Sequence, residues 1–401
     1  MISERILEIF KEITRIPRGS GHEEPMTEYL VKWATEHGLD VKRDEIGNVC
    51  ITREASAGKE NVPTLVLQAH QDMVCEKNEG VTHDFFKDPI EYVVENGWMI
   101  AKDTTLGADD GIGIAACLAL LESDLPMGKL ECVFTISEET GMDGAEAMKE
   151  GFFTGRTLIN LDSEDEGQMF IGCDGGVTTE AVYHFENEPV REGAKRCKLT
   201  IGGAIGGHSG DDINKGRANT VALMVRFLFS HLDTLQIIKI NGGGKHNAIA
   251  RECVAAVTCP DVKALKADFE RFGSEVKNEF RVTDPGLKFE CKEVEHPCKH
   301  LPINSAQAVK IVSSLWACPH GVAAMSQDVP GFVETSTNLA SVQTDFETNT
   351  IKVVTSQRSS TKSESRAIAS KVRAALELGG ACVEHMNEYP GWAPNVDSHI
   401  L

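Results

Sequence analysis

Three short, apolar, β-prone segments of this chain each lead into side chains that can ligate a metal ion or move a proton. The segments and the side chains after them are residues 64–69 with His70 and Asp72, residues 130–136 with Glu138 and Glu139, and residues 157–161 with Asp162. Runs of this length and composition are typical of buried strands. Because open α/β sheets build their sites at the carboxyl ends of strands, we expect these side chains to share one edge.

A regular alternation of helical and strand patterns covers the first part of the chain. The predicted helices are 2–15, 25–37, 108–122 and 143–150, and the predicted strands are near 40–52 and at 64–70, 130–136 and 157–162. This order predicts a three-layer α/β domain, which we assign to residues 1–177.

The predicted helix 108–122 begins with two acidic residues, Asp109 and Asp110. Acids in a first turn satisfy free backbone N–H groups, so a helix cap is the alternative role for Asp110. The glycines around them also suit a phosphate loop. However, no Gly-Lys-Ser/Thr sequence follows, and two carboxylates would repel a phosphate.

The pattern changes at about residue 178. Residues 178–386 are predicted to form an α+β unit with helices on one face of an antiparallel sheet. The order of predicted strands and helices occurs twice within this unit. Residues 337–341 of the second copy match residues 246–250 of the first. This repeat predicts two related ferredoxin-like halves. Residues 387–401 are predicted to return to the first domain.

Composition excludes several classes of partner and site. The formal net charge of −21 disfavours nucleic acid and anionic membrane surfaces as partners. No apolar stretch approaches bilayer length, and the first residues resemble an amphipathic helix rather than a signal peptide, so we predict a cytoplasmic protein. The twelve cysteines contain no Cys-x-x-Cys pair and favour buried thiols in a reducing compartment.

The candidate residues suit a centre of two divalent ions. His70 can ligate zinc as a neutral imidazole, Asp109 can bridge two ions, and Glu139 and Asp162 can ligate opposite ions. Two ions that share a carboxylate lower the pKa of a water between them. A second histidine is missing from the strand-end positions.

Two further carboxylates have roles beside such a centre. Glu138 can stay unligated and act as the general base. Asp72, two residues after His70, can hold the imidazole ring through its other N–H.

The candidate residues lie within the segments 67–74, 104–113, 137–141 and 160–164, and a glycine-rich segment follows at 206–210. In these five segments the chain resembles the di-zinc exopeptidases, and among them the bacterial aminoacyl-histidine (Xaa-His, or cytosolic β-alanyl-histidine) dipeptidases. The resemblance implies that His70, Asp109 and Asp162 hold one zinc ion. It also implies that Asp109 and Glu139 contribute to a second zinc ion in each subunit and that Glu138 is the base and acid. Cobalt or manganese can occupy similar sites.

The resemblance also implies that residues 178–386 are a lid or dimerisation domain. His208 would stabilise the oxyanion of the tetrahedral intermediate, although its glycine-rich turn also suits a simple loop histidine. Asn247 and Arg358 would bind substrate, because an arginine fork is the natural partner of a free carboxylate. A solvated surface charge is the alternative for Arg358.

The resemblance implies a metal-dependent dipeptidase that hydrolyses Xaa-His dipeptides such as carnosine through a di-zinc-activated water. A homodimer is a possible assembly. Family members usually continue past residues 388–398 and supply a late histidine, so we expect an incomplete second zinc site and reduced activity in this chain. Two alternatives stay open: an N-acyl amino acid deacylase of the same family, and an inactive metal-binding homologue.

Overall fold

The protein is described here by a computed structural model that covers residues 2–78, 80–163, 167–294 and 299–400. Glu164, in the fourth of the segments that carry the family resemblance, lies outside the described residues. The chain divides into two units, Met1–Phe170 and Ile171–Leu401. The domain limits predicted from sequence, 1–177, 178–386 and 387–401, stay a prediction. None of the described helices has the length and apolar character that crossing a bilayer requires.

The first unit alternates helices and strands much as its sequence predicts. Its elements are α1 (Ile2–Ile13), α2 (Glu24–Glu36), β1 (Asp40–Arg43), β2 (Val49–Arg53), β3 (Leu65–His70), β4 (Tyr92–Glu95), β5 (Trp98–Ala101), α3 (Ala108–Glu122), β6 (Leu130–Thr135), α4 (Asp143–Ala147) and β7 (Thr157–Asn160). Helix α4 ends three residues before the predicted limit. The β4–β5 hairpin was not predicted, although Asn96 and Gly97 both have positive φ and form the Asn-Gly turn that favours a hairpin.

Five strands of this unit form one mixed sheet in the order β1-β2-β6-β3-β7. Strands β6, β3 and β7 are parallel neighbours, and β2 and β1 add antiparallel pairs at one side. Parallel strands need both faces covered, which fits the continuous burial of β6.

Side chains alternate between two apolar layers on this sheet. Ile51 and Phe134 pack on the side that also buries Ile9 of α1 and Ile114 of α3. Their chain neighbours Cys50 and Val133 pack on the other side, against Met148, Phe152 and Phe153. Because successive strand residues face opposite sides, the sheet lies between two layers, and the predicted three-layer arrangement is confirmed.

The second unit contains one nine-stranded antiparallel sheet and four helices within its described residues. Its elements are β8 (Gly175–His184), β9 (Lys195–Gly202), α5 (Thr220–Phe229), β10 (Gln236–Gly243), β11 (Cys253–Cys259), α6 (Val262–Glu279), β12 (Lys288–Glu293), α7 (Ser305–Ala317), β13 (Gly321–Met325), β14 (Val333–Asp345), β15 (Thr350–Ser359), α8 (Lys362–Leu378) and β16 (Cys382–Tyr389). Buried residues of all four helices and of the sheet form one apolar core.

The strand order reveals two halves with the same topology. In the first half the order is β12-β9-β11-β10, with α5 after its first strand and α6 after its third. In the second half the order is β16-β8-β15-β14, with α7 and α8 in the same places. Both are ferredoxin-like, and the first half is inserted between β8 and α7 of the second. The halves join through β10 and β14.

The sequence match that suggested this repeat is wrong in detail. Residues 337–341 lie within β14, whereas residues 246–250 lie in the connection between β10 and β11. The two segments therefore do not occupy equivalent places, and the repeat is visible in topology rather than in that match. The strand β8, which completes the second half, was not predicted.

Candidate functional site

The carboxyl ends of three parallel strands meet at one edge of the five-stranded sheet. Strand β3 lies between β6 and β7 and ends at His70, whose partner on β6 is Thr135. Glu138 and Glu139 follow β6 on one side of this position, and Asp162 follows β7 on the other. The strand order therefore produces the convergence that the sequence predicts.

Carboxylates of the site approach the imidazole of His70 directly. Its Nε2 lies 2.8 Å from Oδ1 of Asp109 and 3.6 Å from Oδ1 of Asp162. Possible ligand atoms of His70, Asp109 and Glu139 lie within 4.8 Å of one another. A second group with the same spacing comes from His70, Asp110 and Asp162. The three predicted carboxylate ligands, Asp109, Glu139 and Asp162, thus lie around the imidazole of the fourth, His70.

Asp110 fulfils its predicted alternative role and also lies close to the site. Its Oδ1 accepts the backbone N–H of Gly113 at 3.1 Å, as a residue at a helix start does. Its Oδ2 accepts the backbone N–H of His70 at 3.3 Å. Burial raises the pKa of Asp110 to about 7. Its place in the second ligand group makes it a candidate ligand that the sequence interpretation left out.

Asp72 connects two parts of the site through its fully buried carboxylate. Its oxygens accept the Ser20 hydroxyl at 2.8 Å and the backbone N–H groups of Glu138 and Glu139 at 3.0 and 3.1 Å. Oδ1 also lies 3.3 Å from Nδ1 of His70, the ring nitrogen beside which Asp72 was predicted to lie. Burial raises the pKa of Asp72, but the interactions with His70, Ser20 and the Glu138 N–H outweigh it and lower this pKa to about 2.

Glu138 lies beside the ligand groups and has a raised pKa. Burial raises its pKa to about 7; Asp162 and Glu139 raise it as well, while His70 opposes them. Its side chain lines a cavity of about 270 Å³ together with Asp162, Gln68 and Met148. A carboxyl group with a pKa near neutrality can both accept and return a proton. Burial also raises the pKa of Glu139.

The charge of the site favours a bound cation. Burial alone lowers the pKa of His70, but Asp109, Asp162 and Asp72 raise it to about 12. Among the described residues, no lysine or arginine forms an ion pair with these carboxylates. One imidazole and several converging carboxylates are a donor set that zinc and similar divalent ions accept. The residues present therefore fit a divalent cation.

The predicted substrate-binding residues lie together within the second unit. Nε2 of His208 lies 3.4 Å from Nη2 of Arg358 on β15. The backbone N–H of Ser209 donates to the carbonyl of Asn247 at 2.8 Å, which brings Asn247 beside His208. Nδ1 of His208 lies 3.1 Å from Oδ2 of Asp211.

Arg358 is not a freely solvated charge. Its side chain is half-buried, and Nε is a buried atom for which the described part of the chain provides no hydrogen-bond partner. An unpaired buried donor is costly unless a ligand satisfies it. The half-buried side chain differs from a fully solvated surface charge, and its contact with substrate stays a prediction.

Comparison with known proteins identifies the family. The sequence model of the family described as "Peptidase family M20/M25/M40" matches residues 66–393 of this chain. The chain belongs to this family. It is 39% identical over 400 residues to the cytosol non-specific dipeptidase of Escherichia coli K12, covering 98% of this chain and 81% of that protein. It also matches the crystal structure of aminoacylhistidine dipeptidase from Vibrio alginolyticus, with a TM-score of 0.85 and 39% identity over 99% of this chain and 81% of that one.

As a member of the M20 family, the protein is a metal-dependent peptidase, a hydrolase that acts on peptide bonds. The predicted family, the fold class with its lid domain, and the enzyme class are confirmed. The individual roles assigned to the site residues stay predictions.

Sequence analysis missed the loop between α1 and α2 of this M20 peptidase. The buried guanidinium of Arg18 donates to the carbonyls of Gln71 at 2.9 Å and Asp72 at 2.6 Å, and it also donates to that of Gly107. It therefore ties the end of β3 to the start of α3. Burial lowers the pKa of Arg18 to about 10. The only signal in the sequence is a cluster of charged and hydroxyl residues in a short turn between helices.

Proposed function

We propose that this M20 peptidase is a cytoplasmic dipeptidase whose substrates include Xaa-His dipeptides such as carnosine. The convergence of His70, Asp109, Glu139 and Asp162 at one sheet edge, beside the half-buried Glu138, supports the metal-dependent hydrolysis in this proposal. The names of two relatives add support. The Escherichia coli protein is called a cytosol non-specific dipeptidase, and the Vibrio alginolyticus protein is called an aminoacylhistidine dipeptidase. The two names differ in breadth of specificity, so the substrate range needs direct measurement.

His70, Asp109 and Asp162 would hold one divalent cation, and Asp109 and Glu139 would contribute to a second. Zinc suits this donor set, and cobalt or manganese can replace it. When bound, such ions lower the pKa of water and polarise a carbonyl group. Asp72 would keep the His70 ring oriented through Nδ1.

Glu138 would transfer the proton in the reaction. It takes a proton from the attacking water and gives it to the amine that leaves. Its raised pKa suits both steps, because neither the protonated nor the ionised form is strongly preferred near neutral pH. This role requires Glu138 itself to remain outside the cation's ligand set, and neither group of close ligand atoms includes it.

Residues of the second unit would bind the dipeptide. His208 would donate a hydrogen bond to the oxyanion as charge develops on the peptide carbonyl oxygen. Arg358 would bind the free carboxylate of the substrate through its guanidinium group. Asn247 lies beside His208 and would add a contact to the substrate backbone.

A substrate panel tests the proposal. The zinc-loaded protein should hydrolyse carnosine and α-linked Xaa-His dipeptides, and N-acetylated analogues should be poor substrates. Preferred hydrolysis of N-acylated amino acids would support the deacylase alternative. Cation binding without hydrolysis of any member of the panel would support the inactive homologue.

The predicted homodimer is a separate question. Light scattering coupled to size-exclusion chromatography measures the mass in solution. A mass near twice 43.7 kDa would support it.

A further inference from the structure

The residue before the proposed base has an unusual backbone conformation. Ser137 lies two residues after the end of β6 and has φ of 54°, in the left-handed region that non-glycine residues seldom adopt. The next two residues are Glu138 and Glu139. The direction in which both glutamates leave the sheet therefore depends on how firmly Ser137 is held.

A buried carboxylate from another element holds Ser137 in this conformation. Oε1 of Glu23 accepts the backbone N–H of Ser137 at 3.1 Å and its hydroxyl at 3.3 Å. The same oxygen accepts the N–H of Gly21 at 2.9 Å. Glu23 is only 5% exposed, so these hydrogen bonds compensate for removing its charge from water.

The position of Glu23 suggests a simpler role, which its contacts do not support. Glu23 is the residue before helix α2, where an acidic side chain commonly caps the helix. Its side chain makes no capping hydrogen bond to α2, and the carboxylate turns instead to Ser137, 114 positions away. In the described part of the chain, Glu23 also has no lysine or arginine as an ion-pair partner. Helix capping therefore does not explain this buried charge.

Three consecutive backbone N–H groups are held in the same way. The N–H of Ser137 donates to Glu23, and those of Glu138 and Glu139 donate to Asp72. Successive amides that point at fixed anionic groups define the conformation of a short loop. Asp72 also lies against His70, whereas the side-chain hydrogen bonds of Glu23 go to Ser137 and to Gly21 of its own loop.

We propose that Glu23 is a positioning residue for Glu138: by holding Ser137 in the left-handed conformation, it aims the carboxyl group of Glu138 into the site. The inference rests on the proposed function, in which Glu138 is the base. A displacement of about 1 Å at a reacting group can reduce turnover on the order of 100-fold.

Substitutions at two positions test this role. Glu23→Ala removes all three hydrogen bonds and should lower kcat about 10- to 100-fold, with KM changed less than about threefold. Glu23→Gln keeps an oxygen at Oε1 and should retain most of the activity. Glu24→Ala is the matched control, because Glu24 is the exposed neighbour and pairs with Arg43 at the surface.

Rescue by glycine separates positioning from general destabilisation. Glycine adopts positive φ without the penalty that serine has. Ser137→Gly in the Glu23→Ala protein should therefore restore at least part of the lost kcat, whereas it would not repair a structural defect elsewhere. An unchanged or lower kcat in the double variant would overturn the proposal.

Amide hydrogen exchange provides a readout that does not depend on activity. Peptides that contain residues 137–139 should exchange faster in Glu23→Ala than in the wild type and the Glu24→Ala control, with added zinc present throughout. Unchanged exchange there would overturn the positioning role. If exchange responds but the wild type cleaves no dipeptide, the proposed function fails while the Glu23 contact is supported.

Discussion

Oδ1 of Asp72 accepts a hydrogen bond from the backbone N–H of Glu138 at 3.0 Å. The same oxygen lies 3.3 Å from Nδ1 of His70. One buried carboxylate therefore lies between the imidazole at the end of β3 and the loop after β6. Metal affinity and proton transfer should both depend on Asp72, although neither role requires it to touch the cation or the substrate.

Asp72→Asn should weaken cation binding. The amide keeps the size of the carboxylate but loses its charge and one acceptor oxygen, so the His70 ring is held less firmly. Loss of such an outer contact typically lowers metal affinity by about 10- to 100-fold. Isothermal titration with zinc measures the change, and Asp124→Asn at an exposed position is the control. Wild-type affinity in Asp72→Asn would contradict the role assigned to this residue.

Glu138→Gln should abolish most of the turnover and leave cation binding intact. A glutamine is close in shape but cannot accept the proton, and general acid–base catalysis contributes about 10²- to 10⁴-fold. Steady-state kinetics and elemental analysis of the same preparation measure the two effects. Glu146→Gln, at an exposed position of α4, should behave like the wild type. Turnover that survived in Glu138→Gln would show that another group is the base.

The pH dependence of kcat/KM should follow the ionisation of Glu138. A general base must be deprotonated before it can act, and burial raises the pKa of this carboxyl group to about 7. Activity should therefore rise with pH through the pKa of Glu138; because bound cations oppose the effect of burial, this limb should lie below about 7 and above the ordinary value of a glutamate. The pH profile of dipeptide hydrolysis at saturating zinc measures this limb. A limb near pH 4.5 would mean that Glu138 is not the group that titrates.

Arg358→Met should raise KM more than it lowers kcat. Hydrogen bonds to charged groups contribute about 1.5–3 kcal/mol, which corresponds to a change of about 10- to 150-fold in binding. Arg366→Met, at an exposed position of α8, is the matched control. For substrates with an amidated carboxyl end, the wild type and Arg358→Met should have similar KM values. Equal KM values for the acid substrate would remove Arg358 from the binding site.

The sequence could predict the site to the extent that it depends on strand ends. Apolar runs in the sequence predicted β3, β6 and β7. Because these strands are parallel neighbours, the polar residues at or after their carboxyl ends lie at the same edge of the sheet. That reasoning located His70, Glu138 and Asp162 without any structure.

Contacts between distant segments could not be predicted in this way. Arg18 and Glu23 act through hydrogen bonds to positions more than fifty residues away, and no periodicity or spacing encodes such a pair. The same limit applies to β8, because its pairing with β15 and β16 becomes visible only when the second ferredoxin-like half is assembled.

Glu131 provides a test of stability that is independent of the site. On β6 it is only 1% exposed, and its oxygens accept the N–H and hydroxyl of Thr154 at 2.7 and 2.8 Å and the N–H of Gly155 at 2.9 Å. Burial raises the pKa of this carboxyl group, but the hydrogen bonds outweigh it, so the folded-state pKa lies below the ordinary value. The unfolded chain therefore takes up the proton first as the pH falls.

Its contribution to the free energy of unfolding is thus fully present above about pH 4.5 and is lost as the pH falls through the lower folded-state pKa. Glu131→Gln leaves one donor unsatisfied and should reduce the free energy of unfolding by about 1–3 kcal/mol at pH 7. The difference from wild type should shrink towards pH 3, as measured by urea denaturation. Glu150→Gln, exposed on the same unit, should show no such trend. A difference that stays constant with pH would mean that the charge of Glu131 does not stabilise the fold.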